Sequence, residues 1–208
     1  TDAPLTQQLQ RRLLLIPGLR ACFATNLHKA VNPDVFHPLP VGFYSKTVSV
    51  LAQMSQQIGD TPWSQRDPRV LIPWMRSKRC GKKTRRHYLA VLTGKEYEHL
   101  VVHETRRIAF EDYMELLSKH AFVLSPPGKG YDCSRTWESI FVGSVPLVYN
   151  DPLFDQRLFC GATTAYIPGS EALSPSCLEE LLSQVHEPTK VDLLGMEHWG
   201  RLWRSFLK

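Results

Sequence analysis

The run from Ala121 to Tyr149 restricts the fold more than any other part of this chain. Ala121-Phe-Val-Leu124 is an apolar stretch of strand length. Ser125-Pro-Pro-Gly-Lys-Gly130 follows and cannot be helical, because the two prolines fix φ and push the residues before them into extended backbone. Residues from about Ser134 to Val142 form a helix with polar residues at its entrance, and Val145-Pro-Leu-Val-Tyr149 is a second apolar strand. A buried strand, a turn, a helix and another buried strand make one parallel crossover unit, so the sheet must be covered on both faces.

The same alternation extends to either side. Val70 to Met75, Leu100 to His103 and Ala165 to Ile167 read as further strands, with Pro73 suited to a strand end. Helices are expected over Lys83 to Leu92, Phe110 to His120, Pro175 to Val185 and Val191 to Leu207. In the second of these, Tyr113, Leu116 and Leu117 stand at core-facing spacing. The expected fold is α/β, a Rossmann-like, doubly wound parallel sheet over residues 65–190, followed by a C-terminal helix over 191–208. Residues 1–64 are less regular: a strand near Ala21 to Thr25, a proline-broken extended segment from Phe36 to Phe43, and a helix from Lys46 to Gln57. Residues 59–68 read as a linker rich in turn formers.

At 208 residues the chain can bury a substantial core. No apolar run approaches the ~20 residues of a membrane span; Leu13-Leu14-Leu15-Ile16 is a core or interface segment. The net charge of +5 is concentrated in Arg76 to Arg86, a block suited to an anionic polymer, a phosphorylated ligand or plain solvation. The five cysteines include no CxxC pair, which argues against structural zinc and fits reduced thiols in a cytoplasmic setting. A Golgi lumen would apply instead if an anchor preceded Thr1.

The chemistry-bearing residues lie at the carboxyl end of the Ala121 strand, where sheets of this kind bind ligands. Gly128 and Gly130 permit positive φ and close approach of a ligand to the backbone. Asp132 or Ser134 can cap the next helix, whose free N–H groups suit phosphate. Arg135 in its first turn can neutralise a diphosphate with paired hydrogen bonds. Glu138, on the same face, can accept from the two hydroxyls of a ribose. A plainer reading exists for each: a surface turn, and an i, i+3 salt bridge. The motif is neither GxGxxG nor a P-loop.

Ser125-Pro-Pro-Gly-Lys-Gly-Tyr-Asp-Cys-Ser-Arg-Thr-Trp-Glu-Ser139, followed by Gly143-Ser-Val-Pro-Leu-Val148, resembles the donor-site signature of exostosin-like glycosyltransferases. Weaker similarity includes Asn26 and His37 to Gly42, so the resemblance spans roughly residues 21–170. It implies the GT-B architecture, here with a reduced N-terminal acceptor part. It further implies a nucleoside-diphosphate sugar donor (a UDP-sugar) and a glycan or other hydroxyl acceptor. Arg135 would contact the diphosphate and Glu138 the ribose, with Ser125, Pro127, Gly128 and Gly130 lining the pocket. Arg85 or Arg86 would be a second phosphate ligand, with Lys78, Arg79, Lys82 and Lys83 as further candidates.

The sequence contains no Asp-x-Asp motif, and Asp151 and Asp155 read as turn residues. Arginines and the helix dipole can carry the leaving-group charge, so no metal or other cofactor is expected. By family, transfer is expected to invert, which requires a base. His28 and Asp132 are the choices, with His103 and Glu104 as alternatives. Two competing readings remain: a non-catalytic module that holds an anionic polymer or nucleic acid through Arg76 to Arg86, and a fucosyltransferase-like enzyme using GDP-fucose. Trp74 and Tyr88 could stack on bases or pack in the core. Nucleic acid is the less expected partner.

Overall fold

The computed structural model describes residues 3–54, 61–75, 83–128, 130–159 and 162–188. The expected C-terminal helix over 191–208 lies outside the described residues, as do residues 76–82 of the basic block with Lys78, Arg79 and Lys82, and the side chain of Lys83.

The elements in chain order are α1 (Gln7–Leu13), β1 (Cys22–Ala24), β2 (Phe36–Pro38), α2 (Ser45–Met54), β3 (Asp67–Ile72), α3 (Lys83–Leu92), β4 (Val101–His103), α4 (Phe110–Ser118), β5 (His120–Leu124), α5 (Ser134–Phe141), β6 (Val145–Tyr149), β7 (Ala165–Ile167) and α6 (Pro175–Ser183). Strands β3 to β7 form a five-stranded, wholly parallel sheet in the order β4-β3-β5-β6-β7. β3 runs further back than the sequence suggests and stops before Pro73. Its register shifts between Asp67 and Val70, where Pro68 has no N–H to give the ladder.

Side-chain alternation sends the two halves of each strand to opposite cores. Val70, Ile72, Phe122, Leu124 and Leu147 pack with Tyr88 and Leu92 of α3 and Leu178 of α6. On the other face Leu71 and Val123 meet Met114 and Leu117 of α4 and Leu51 of α2. Val148 meets Trp137 and Ile140 of α5 on that face. Helices therefore cover the sheet on both sides, as the apolar strands require. The chain leaves β3 for β4 on one side and returns to β5 on the other. That reversal is a topological switch point, where loops at the strands' carboxyl ends part and open a crevice.

The N-terminal segment pairs β1 with β2 in parallel, so the proline-broken stretch at Phe36 is a short strand. Backbone and side-chain bonds fasten the segment to the main sheet's loops. Lys29 N–H donates to the Leu153 carbonyl, Asp155 N–H to the Leu27 carbonyl, and Arg157 to the Phe36 carbonyl.

Candidate functional site

α5 starts at Ser134 because the preceding Pro-Pro-Gly turn is extended and Cys133 takes β-region backbone as N-cap. Neither Asp132 nor Ser134 caps it through a side chain, contrary to the sequence expectation. The helix ends at Gly143, whose φ of 76° is the left-handed stop that glycine adopts without strain. Between these limits, Trp137 and Ile140 pack into the core beside β6. Arg135 and Glu138 project together toward a cavity of about 430 Å³.

That cavity sits at the carboxyl ends of β3 and β4. It is lined by Pro73 and Trp74 after β3, and by Glu104 and Arg106 to Ile108 after β4. Phe110, Tyr113 and Leu116 of α4, Arg135 and Glu138 of α5, and Tyr44 at the entrance to α2 complete it. Its volume lies within the range typical of small-molecule sites, and its lining combines aromatic surface with converging charges.

Arg135 is the least ordinary of these groups. Its Nη2 donates to the Trp74 carbonyl at 3.3 Å, while Nε and Nη1 are closed to solvent and have no partner. Burial works against its charge, yet Tyr113, Cys133 and Glu138 around it hold its pKa above the ordinary arginine value. Buried, unsatisfied N–H donors on a cation are costly to keep, so the place of Arg135 in the fold calls for a functional explanation. Glu138 accepts a hydrogen bond at 2.9 Å from the Tyr113 hydroxyl. Burial holds its carboxyl above the usual glutamate range, and the Tyr113 hydroxyl and the Arg135 charge offset this only in part. No ion pair joins Arg135 to Glu138, so the helix salt bridge that their spacing allowed is not formed.

At the rim, the Arg107 guanidinium lies 5.9 Å from the centre of the Trp74 ring. Glu104 accepts from the Arg106 N–H at 2.7 Å, which holds its carboxyl below the usual range. Tyr44 is 69% exposed and offers a free aromatic face.

The other residues singled out in the sequence do not line this cavity. Ser125 is buried, and its hydroxyl meets Thr136 Oγ1 at 2.8 Å and Cys133 Sγ at 3.2 Å. Pro127, Gly128 and Gly130 are buried as well. Neither glycine has positive φ. Each is small because the protein itself closes on it: an added Cβ would lie 2.8 Å from Arg85 Nη2 at Gly128, and 2.1 Å from Asn26 Oδ1 at Gly130. Arg85 also reaches the Pro126 carbonyl at 3.4 Å, whereas Arg86 is exposed on α3.

Asp132 is enclosed as a structural clamp. Its carboxylate accepts from the Val41 N–H and from Trp137 Nε1, tying the N-terminal segment to α5. His28 stands with its ring edge-on to Tyr131 at 5.7 Å, and its Nε2 is buried without a partner. Of the four candidate bases only Glu104 lines the cavity with Arg135. Tyr88 is core, its hydroxyl donating to the Pro168 carbonyl.

Tyr113, Arg106 and Arg107 belong to the cavity and were not singled out in the sequence, where Tyr113 reads as one more apolar contact of α4. A usable signal was present: residues directly after a parallel strand's carboxyl end face the ligand crevice, which points to 73–74 and 104–108. Among the described residues no group of three His, Cys, Asp or Glu side chains could hold a metal ion, and no helix is long and apolar enough to cross a membrane. Comparison with protein-family models and with curated proteins gives no match.

Proposed function

We propose that this protein is a glycosyltransferase that moves a sugar from a nucleoside-diphosphate donor, a UDP-sugar by the exostosin-like resemblance, to a hydroxyl acceptor. In this reading the parallel sheet is the donor half of a GT-B-type arrangement. The observation that carries it is the shared cavity of Arg135 and Glu138 at the carboxyl ends of β3 and β4, where a guanidinium and a carboxylate line one small-molecule-sized space.

Arg135 would bind the diphosphate. As the glycosidic bond to the donor breaks, negative charge grows on the leaving phosphate, and a fixed guanidinium in a partly dry pocket stabilises it without reorganising. Glu138 would accept from the ribose hydroxyls, and Trp74 and Tyr44 offer faces for a base or sugar ring. The sequence has no Asp-x-Asp motif, so the arginines take the role that a metal plays in other transferases, and transfer is proposed to be metal-independent and inverting. The inverting base is sought on the acceptor side. His28 and Asp132 lie outside this cavity, and Glu104 is the candidate carboxylate within it.

A thermal-shift panel of uridine, guanosine and adenosine diphosphates and their sugar conjugates, with and without EDTA, tests the proposal. Stabilisation by one diphosphate, unchanged by chelator and lost in Arg135→Ala, is expected. GDP in place of UDP as the stabilising nucleotide would favour the fucosyl-transfer reading. No response to any nucleotide at millimolar concentration would overturn the donor site. Steeply salt-dependent binding of a polyanion that does not need Arg135 would then favour the binding-module reading.

A further inference from the structure

Glu138 stands three residues after Arg135 on α5, a spacing at which a carboxylate and a guanidinium ordinarily pair. Here they stay apart. Arg135 Nε and Nη1 are without partners, while Glu138 Oε2 is engaged by the Tyr113 hydroxyl, which reaches across from α4 at 2.9 Å. Oε1 of Glu138 accepts no hydrogen bond among the described residues. All three side chains line the same cavity.

We propose that Tyr113 is a positioning residue that holds Glu138 away from Arg135. One pocket then presents a guanidinium that is not paired with a carboxylate to a diphosphate, and an open carboxylate oxygen to the vicinal hydroxyls of a ribose. This rests on the donor-site reading and deepens it by separating the anion-binding from the diol-binding role. A carboxylate free to turn in a poorly solvated pocket would bond to the strongest unsatisfied donors near it, and those are on Arg135. An incoming phosphate would then have to displace an internal anion, and the ribose would lose its acceptor at the same moment. Tyr113 prevents this with a single donor of fixed reach on a helix packed against α5. Its ring also meets Phe110 at 6.1 Å, so phenylalanine in its place keeps the packing and removes only the hydroxyl, which stands beside Arg135 as well as bonding Glu138.

Titration calorimetry of the full chain with inorganic pyrophosphate, which has no ribose, and with UDP tests this in four proteins: wild type, Tyr113→Phe, Glu138→Gln and the double variant. Tyr113→Phe should weaken pyrophosphate binding about tenfold, the size expected when a charge-assisted bond is redirected. The double variant should return to within about twofold of wild type, because glutamine cannot form the ion pair. Glu138→Gln alone, with Tyr113 in place, should bind pyrophosphate at least as tightly as wild type. Unchanged binding in Tyr113→Phe, no recovery in the double variant, or weaker binding in Glu138→Gln would each overturn the positioning role and leave the donor site standing. Failure of wild type to bind either ligand would instead remove the donor-site reading, and the positioning role with it.

Discussion

The side-chain amide of Asn26 rests directly on the Cα of Gly130, so close that a Cβ added there would lie 2.1 Å from Asn26 Oδ1. Asn26 Oδ1 also accepts the Asp132 N–H at 3.3 Å, and Asn26 itself holds a left-handed φ of 53°. The N-terminal segment therefore forms part of the wall behind the Pro-Pro-Gly turn. Gly130→Ala should lower the unfolding free energy by about 1–3 kcal/mol through overpacking. Shortening the neighbour in Gly130→Ala/Asn26→Gly should recover part of that loss. Urea denaturation of the two variants checks this, and an undiminished Gly130→Ala would show that the contact is dispensable.

Asp132 gives a pH dependence whose sign follows from its burial. Desolvation outweighs the N–H donors of Val41, Trp137 and Cys133 and raises its pKa from 3.8 to about 6. The folded protein thus keeps a proton that the unfolded chain releases near pH 3.8, and the contribution of this residue to stability declines as pH rises through that window. Asp132→Asn should unfold more easily near pH 4, since an amide offers one acceptor to several donors. The gap to wild type should narrow from pH 4 to pH 7 by on the order of 3 kcal/mol. Unfolding curves across that range decide it, and a gap that widens with pH would contradict the assignment.

Arg66 is a buttress that the sequence did not single out, since it sits in a stretch rich in turn formers. It donates to the Val142 carbonyl at 2.9 Å, to Ser144 Oγ at 3.1 Å and to the Thr61 carbonyl at 3.2 Å, fixing the end of α5 against the start of β3. Arg66→Ala should cost about 2–4 kcal/mol by leaving those acceptors unpaired. Arg66→Lys should recover less than half of this, because an ammonium cannot reproduce the planar fork. Chemical denaturation reads both.

Burial also shifts the Glu138 carboxyl upward, so the pocket should acquire its diol acceptor at a higher pH than an ordinary glutamate would allow. The ratio of UDP affinities, wild type over Glu138→Gln, should rise with pH through a midpoint above 4.5. Phosphate ionisation is common to both proteins and cancels in the ratio. A ratio that stays flat from pH 4 upward would remove Glu138 from ligand recognition.

Much of the sheet was legible because apolar runs of strand length alternate with amphipathic segments, and that pattern alone implies parallel crossovers. Strand ends were less legible. β3 reaches back to Asp67 past Pro68, since a register shift absorbs the missing donor. Arg135 and Glu138 could be paired from their helical spacing, which is a local property. Tyr113, Trp74 and Arg107 could not, because they join the cavity only when strand order brings the ends of β3 and β4 beside α4 and α5. The two glycines of the turn were read as places where a ligand comes close to the backbone. What approaches them, though, is Asn26 and Arg85, and no local pattern shows which distant side chain will fill a gap.

Calorimetric titration of UDP into wild type and Arg135→Ala at low salt tests the central claim most directly. The position of Arg135 on the cavity wall predicts measurable binding to wild type and a loss of at least about tenfold in the variant, with cooperative unfolding retained. Equal affinity in the two proteins would mean that the diphosphate does not meet Arg135, and the sugar-transfer proposal would be contradicted.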